Sequence, residues 1–264
     1  MELIKKLREM TGAGMVDCQK ALKEADNDLE KAVAILRKKG IAKAAKRTDR
    51  ETNEGVVKVA VNSEKNEGYI LELNSETDFV SRNDKFQAFA DKVLEVVKTI
   101  KPANLEALLS APFDASTVSE SLDTLSGTIG EKMTISRFEI LKAETVTAYS
   151  HLGGKIGVLV ALDQPGKSDL AADIAMQVAA ANPKYLLPEE VSQEEMDKEK
   201  EIYKAQLLKE GKPEAMVEKI IEGKMGKYYS EVCLNEQEYI KDDKKKIKDI
   251  LGGVKINKFI RYSL

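Results

Sequence analysis

"GVVKVAVNSEKNEGYILELN", residues 55–74, carries the pattern on which the fold turns. Its halves, "GVVKVAVN" and "GYILELN", alternate or run apolar and are rich in β-branched residues, while "SEKNEG" between them has the composition of a turn. The stretch reads as a β-hairpin. The next stretch, "NSETDFVSRNDKFQAFADKV" (residues 74–93), switches to helical spacing, with Phe86, Phe89, Ala90 and Val93 on one buried face. Asp78, Phe79 and Val80 are expected at the first turn of that helix, where the helix itself cannot easily cover a large aromatic. Spacing alone leaves Phe79 open between a local core and a surface offered to another molecule.

Working outward, "MTISRFEIL" (133–141) reads as a third strand, and then the same order recurs. "TVTAYSHL" and "KIGVLVAL" form a strand pair around Gly153 and Gly154. "DLAADIAMQVAAA" is a helix with Ala171, Ile174, Ala175 and Val178 facing inward, and "VKINKFIRYSL" (254–264) closes the unit as a strand. Two hairpin–helix–strand units imply an internal duplication and an α+β fold class. Between the helix and the last strand of the second unit lies an insertion. It reads as two helices joined at "EGKP", with Gly211 ending the first and Pro213 in the first turn of the second. Met196, Ile202 and Leu208 are expected to meet Met216, Ile220 and Tyr228 across this antiparallel hairpin.

Ahead of the first unit, three short helices are expected. Leu3, Ile4, Leu7 and Met10 stripe the first; Val16, Ala21, Leu22 and Ala25 mark the second. Asp28 caps the third, whose face is Leu29, Ala32, Val33 and Leu36 and which Gly40 closes. A basic segment over 40–55 follows as a short helix and linker. The domain reading is therefore 1–54 for the helical module and linker, 55–144 for the first core unit, and 145–264 for the second, with the hairpin at 192–229.

Composition narrows the function. The chain has 264 residues, 33% charged, with a net charge of only −3, so bulk charge does not mark a nucleic-acid binder. Aromatics make up 5% and tryptophan is absent, which leaves few stacking platforms. Cys18 and Cys233 are isolated, as suits a reduced compartment. "MELIKKLREM" lacks the apolar run of a signal peptide, and no stretch approaches the roughly 18 apolar residues of a membrane span. A soluble, cytoplasmic protein without membrane contact is expected. One histidine, His151, rules out a histidine metal cluster. No phosphate-loop or nucleophile-elbow motif is present, and "TGAG" and "HLGGKIG" read as turns. No cofactor, metal or direct nucleotide site is expected, and an enzyme is the less favoured class.

Several segments together resemble bacterial translation elongation factor Ts. They are "LREMTGAGMVDCQKALKEADNDLEKAVAILRKKG" (7–40), "ETDFVSRNDKFQAFADKV" (76–93), "IGEKMTISRF" (129–138) and "HLGGKIGVLVAL" (151–162). The resemblance spans nearly the whole chain and implies a ubiquitin-associated-like three-helix module, two related core subdomains and a coiled-coil hairpin. It also implies a guanine-nucleotide exchange factor that binds the GTPase elongation factor Tu and promotes GDP release without covalent chemistry. In that family the matching segment, here Thr77, Asp78, Phe79 and Val80, inserts beside the partner's magnesium site. Carried over more weakly as partner contacts are Met15, Val16, Arg47, Ile129, Gly130, His151, Tyr239 and Ile240. A homodimer or 2:2 complex through the second core unit or the hairpin is a further implication.

Gln19 stands where the family often has lysine, and Ser75 where cysteine is common. Some members continue past the last strand into another helix, so exchange is expected to lean harder on Phe79 and the helical module. Two other readings stay open: a non-catalytic interaction scaffold, and an RNA-binding accessory protein using residues 37–47.

Overall fold

The protein is described by a computed structural model covering residues 1–45, 47 and 49–264. Part of the expected basic segment, Lys46 and Thr48, lies outside the described residues. Three helices open the chain: α1 (Glu2–Thr11), α2 (Met15–Glu24) and α3 (Leu29–Ala45). Strands β1 (Glu54–Val61) and β2 (Glu67–Ser75) follow. Next come α4 (Asp78–Ser81), α5 (Asp84–Ile100) and α6 (Leu105–Ser110). Two short strands, β3 (Pro112–Phe113) and β4 (Ser116–Thr117), lead into α7 (Val118–Ile129) and β5 (Met133–Lys142). The second half runs β6 (Thr145–His151), β7 (Ile156–Leu162) and α8 (Ser168–Ala181), then α9 (Gln193–Lys209) and α10 (Glu214–Val232). It ends with β8 (Glu238–Tyr239), β9 (Asp242–Lys246), α11 (Ile247–Ile250) and β10 (Ile256–Ser263).

The two expected hairpins each recruit one later strand. The sheets run β1-β2-β5 and β10-β7-β6, all antiparallel, with the second hairpin strand central in both. Every residue of β2 is buried, because its two faces serve different cores. Tyr69, Leu71 and Leu73 pack with Phe86, Phe89, Val93 and Val97 of α5, while Ile70 faces the other sheet. That is why "GYILELN" reads as a continuous apolar run rather than a strict alternation. In the second unit, Val158, Val160 and Leu162 of β7 pack under Ala171, Ile174 and Val178 of α8. Helices cover the outer face of each sheet, and the inner faces meet through Val57, Ile70, Val146, Leu159 and Tyr262.

Each sheet places a glycine beneath a valine of the other. A Cβ on Gly68 would lie 2.6 Å from Val146 Cγ1, and one on Gly157 would lie 2.4 Å from Val57 Cγ1. At the same seam the buried Glu72 pairs with Arg137 at 2.7 Å, and the Arg137 guanidinium lies 4.0 Å over the Tyr262 ring. Burial, then the neighbouring Glu139 carboxylate, pushes the Tyr262 hydroxyl well above its ordinary pKa. An ion pair replaces hydration that Glu72 loses inside the sheet seam.

Several expectations need correction. Gly40 does not end α3, which continues to Ala45; the glycine lies instead where α3 crosses Gly127 of α7. Leu3 and Met10 are exposed, and Val16 too is solvent-facing, its place in the α2 core taken by Cys18. Asp28 does cap α3, accepting the Lys31 N–H at 3.0 Å. In the inserted hairpin, Met196 and Tyr228 face inward, but Ile202, Leu208 and Met216 are exposed. Leu207, Val217 and Met225 are buried and Tyr203 is half-buried, so immediate neighbours of Ile202, Leu208 and Met216 take the inward positions. Pro213 stands just before α10, as its N-cap. Among the described residues no helix is long and apolar enough to cross a membrane.

Candidate functional site

The long wedge helix expected after β2 is in fact two helices. Thr77 caps the one-turn α4 by accepting the Val80 N–H at 3.4 Å, and Asn83 caps α5 by accepting the Lys85 N–H. Two successive caps break the run, so Asp78, Phe79 and Val80 form an independent turn. Within it the side chains divide sharply. Val80 is 7% exposed and packs with the α5 core, whereas Phe79 is 86% exposed. Asp78 pairs with Arg82 at 3.1 Å on the surface.

Contacts distant in sequence hold this turn. Glu131 accepts the Thr77 N–H at 3.0 Å and its hydroxyl at 2.7 Å. Ser75 Oγ donates to the Thr77 carbonyl, and the Gln87 amide donates to the Ser81 carbonyl. Beside Glu131, Gly130 ends α7 at φ 99°, a left-handed conformation that a side chain would strain. Ile129 packs partly into the α5 core. Glu76, next to Thr77, accepts the Lys132 N–H and pairs with Arg50. Burial would raise the Glu76 pKa, but the Lys132 N–H and Arg50 outweigh it and hold the carboxyl below its usual range.

One end of the first sheet gathers the remaining pieces. The register places Glu54 opposite Ser75 and Ser75 opposite Met133, so β1 starts, β2 ends and β5 starts there. The turn between β6 and β7 adjoins the same end: Lys155 pairs with Glu54 at 2.7 Å, and Gly154 lies against Val56. That turn carries His151, whose Nδ1 is 3.0 Å from the Tyr149 hydroxyl. It also carries Leu152, exposed and held at φ 52°. A left-handed leucine is uncommon and costs about 1–2 kcal/mol. Sequence reading passed over Leu152; an apolar residue directly before a glycine pair in a tight turn was the available signal.

Contacts from α3 and from the end of α1 join the three-helix unit to the first core unit. Helix α3 packs on α7, and the Lys85 ammonium occupies the space above Gly12, 1.8 Å from where a Cβ would stand. Gly12 caps α1 at its negative end, where a cation is favoured. The chain then enters α2 at Met15 and Val16, both exposed, while Lys85 stands in the first turn of α5, just after α4. Met15 and Val16 thus follow closely on the glycine that the Lys85 side chain meets, and Phe79 lies in the one-turn helix before that lysine. Arg47 is engaged within the chain, its guanidinium donating to the Ser126 carbonyl at 3.0 Å.

Tyr239 and Ile240 are not brought to this end of the sheet by any of these contacts. Tyr239 is 8% exposed and its hydroxyl donates to Asp173 at 2.7 Å. Burial and then Asp173 raise its hydroxyl to about 12. Only Ile240 of the pair presents apolar surface. The end of the first sheet thus presents an exposed aromatic on a capped turn, the exposed Leu152 and a glycine-ended helix, and the adjoining helical unit exposes Met15 and Val16. Apolar side chains displayed in this way suit burial against another protein.

Residues 76–264 match the family described as Elongation factor TS. The chain is 46% identical over 274 residues to "Elongation factor Ts" of Clostridium botulinum (strain Alaska E43 / Type E3), covering 98% of this chain and 90% of the relative. The protein of the same name from Deinococcus deserti is 44% identical over 264 residues, covering 100% and 99%. That of Nautilia profundicola is 45% identical over 280 residues, covering 99% and 91%.

Proposed function

The chain belongs to the elongation factor Ts family, and from that membership we propose that it binds the GDP form of elongation factor Tu and promotes GDP release, with Phe79 as the wedge. The observation that carries this reading is the contrast within α4: Phe79 projects into solvent while Thr77 and Val80 lock the turn beneath it. An exposed aromatic on a preorganised turn loses little conformational freedom when it inserts.

The physical task is to weaken nucleotide binding without covalent chemistry. A GTPase holds GDP through Mg²⁺ and backbone amides of its phosphate loop, so displacing either lowers affinity. Linkage makes the effect mutual: bound nucleotide weakens the exchange factor as much as the factor weakens the nucleotide. Accelerating release about a thousandfold requires lowering its barrier by about 4 kcal/mol. Burying one phenylalanine contributes about 1.5–3 kcal/mol, so further contacts are needed. Met15, Val16, Leu152 and the Ile129–Gly130 turn are proposed to supply them, with Asp78 holding the partner segment beside the wedge. Residues 1–54, 55–144 and 145–264 are proposed as the helical module and the two core units.

Arg37 pairs with Glu120 and Arg47 with the Ser126 carbonyl, which favours a structural over an RNA-binding role for them. Self-association through the hairpin would use its exposed Ile202, Leu208 and Met216, and sedimentation of a triple alanine variant tests it. The main reading is tested by fluorescent-GDP dissociation from elongation factor Tu, with and without this protein, across magnesium concentrations. Acceleration that Phe79→Ala diminishes is expected. Complex formation without acceleration would reduce the protein to a binding module.

A further inference from the structure

The three-helix unit and the first core unit have separate cores. Leu7, Cys18, Ala21, Leu22 and Ala32 pack among themselves, and none of them joins the cluster around Phe86 and Phe89. What joins the two is chiefly the crossing of α3 over α7. An open cleft beside that crossing, reaching Met10, Leu36 and Thr128, shows that side chains fill the seam incompletely. The backbones themselves touch at two glycines.

We propose that the Gly40–Gly127 crossing is the positioning contact that sets where Met15 and Val16 stand relative to Phe79. Its functional consequence rests on the exchange reading above; the crossing itself stands on geometry. A Cβ on Gly127 would lie 2.3 Å from Gly40 Cα and 2.6 Å from its carbonyl carbon and oxygen. Those are backbone atoms and cannot rotate away. The reverse case differs: a Cβ on Gly40 would meet nothing closer than 3.8 Å, an ordinary contact. Only position 127 must lack a side chain, although both glycines sit inside helices where intrinsic propensity favours alanine.

The crossing is clamped on both sides. Arg37 of α3 pairs with Glu120 of α7, and Arg47 reaches the Ser126 carbonyl. Beyond Gly127, α7 runs to Ile129, and the following Glu131 holds Thr77 at the base of the wedge. Since α2 and α3 share one core, a shift of α3 on α7 displaces Met15 and Val16 against Phe79. The wedge turn, fastened to β2, α5 and Glu131, stays in place. Displacement therefore costs recognition of the partner rather than the deforming step.

The test compares Gly127→Ala with Gly40→Ala in the full chain. Nitroxides on Lys20→Cys and Glu106→Cys report the distance between the helical unit and the core. Cys18 and Cys233 are buried, which keeps them from the label. Gly127→Ala is expected to shift or broaden the distance distribution, and Gly40→Ala to leave it as in the parent. In catalysed GDP release from elongation factor Tu, Gly127→Ala raises the KM for the partner about tenfold while the release rate at saturation stays within about twofold. An unchanged distance distribution in Gly127→Ala overturns the proposal, as does a shifted one with an unchanged KM. Should Gly127→Ala fail to fold, Gly40→Leu, whose Cβ would stand 3.8 Å from Gly127 Cα, presses a larger side chain into the same crossing and is read identically. Failure of the parent chain to release GDP refutes the exchange reading and with it the functional role of the crossing, while the label distances still report the contact.

Discussion

Phe79 and Val80 are neighbours in one helical turn, yet truncating them should have opposite consequences. Phe79 is 86% exposed, so Phe79→Ala removes little packing from the free protein. Its unfolding free energy should change by no more than about 0.5 kcal/mol, the usual range for a surface substitution. Against the partner the same ring becomes buried. Losing about 1.5–3 kcal/mol of burial there corresponds to a fall of about 10- to 150-fold in kcat/KM for GDP release. Val80 is 7% exposed and packs into the α5 core. Val80→Ala removes two buried methyl groups, costing about 1.6 kcal/mol plus a cavity contribution. The assay pairs fluorescent-GDP dissociation at fixed magnesium with thermal unfolding of each variant. If Phe79→Ala lowers stability as Val80→Ala does, or leaves release within about twofold of the parent, the wedge argument is wrong.

Thr77→Val removes both the cap on Val80 and the hydroxyl bond to Glu131, so denaturant unfolding should show a loss of about 1–2 kcal/mol, and Thr77→Ser should restore most of it. Gly68→Ala places a methyl 2.6 Å from Val146 Cγ1 between the sheets; an overpacking cost of about 1–3 kcal/mol should appear as a lower denaturation midpoint with an unchanged slope. At the base of the helical hairpin, hydrogen bonds from Tyr185 and then Tyr228 hold the Glu195 carboxyl below its usual range. A depressed carboxyl contributes stability above its unfolded pKa and loses it as pH falls through the folded value, so acid should loosen the hairpin, and Glu195→Gln should flatten that dependence in hydrogen exchange. Burial and then Glu195 raise the Tyr228 hydroxyl, so its contribution is complete below the ordinary tyrosine pKa of about 10 and declines as pH rises beyond it.

The helices lining the sheets were readable because each repeats an apolar residue over three or more turns against one large surface. Phe86, Phe89, Ala90 and Val93 fell inward as their spacing required, and so did Ala171, Ile174, Ala175 and Val178. The inserted hairpin was harder. It is rich in Glu and Lys all round, and its few apolar residues permit neighbouring choices of inward face, so Leu207 and Val217 displaced Leu208 and Met216. Gly40 was misread for a related reason. A glycine late in a helix looks like a stop, and only the approach of α7 shows that it serves a crossing.

The candidate site divides along the same line. By itself the sequence determined the order of the main strands and helices, the repeated hairpin–helix–strand plan, and an aromatic with no helix face to hide it, but neither the break between α4 and α5 nor the short strands. What it determined depends on local periodicity and on chain neighbours. Only the tertiary structure decided that Phe79 points outward, since a one-turn helix has too few residues to define a face. Thr77 and Glu131 are 54 residues apart, and Gly40 and Gly127 meet from different cores. The tertiary structure likewise put Tyr239 on Asp173 inside the second unit and turned Leu152 outward at the first sheet's end. Such contacts form when two surfaces close on each other, and no spacing along one segment encodes which surface it will meet.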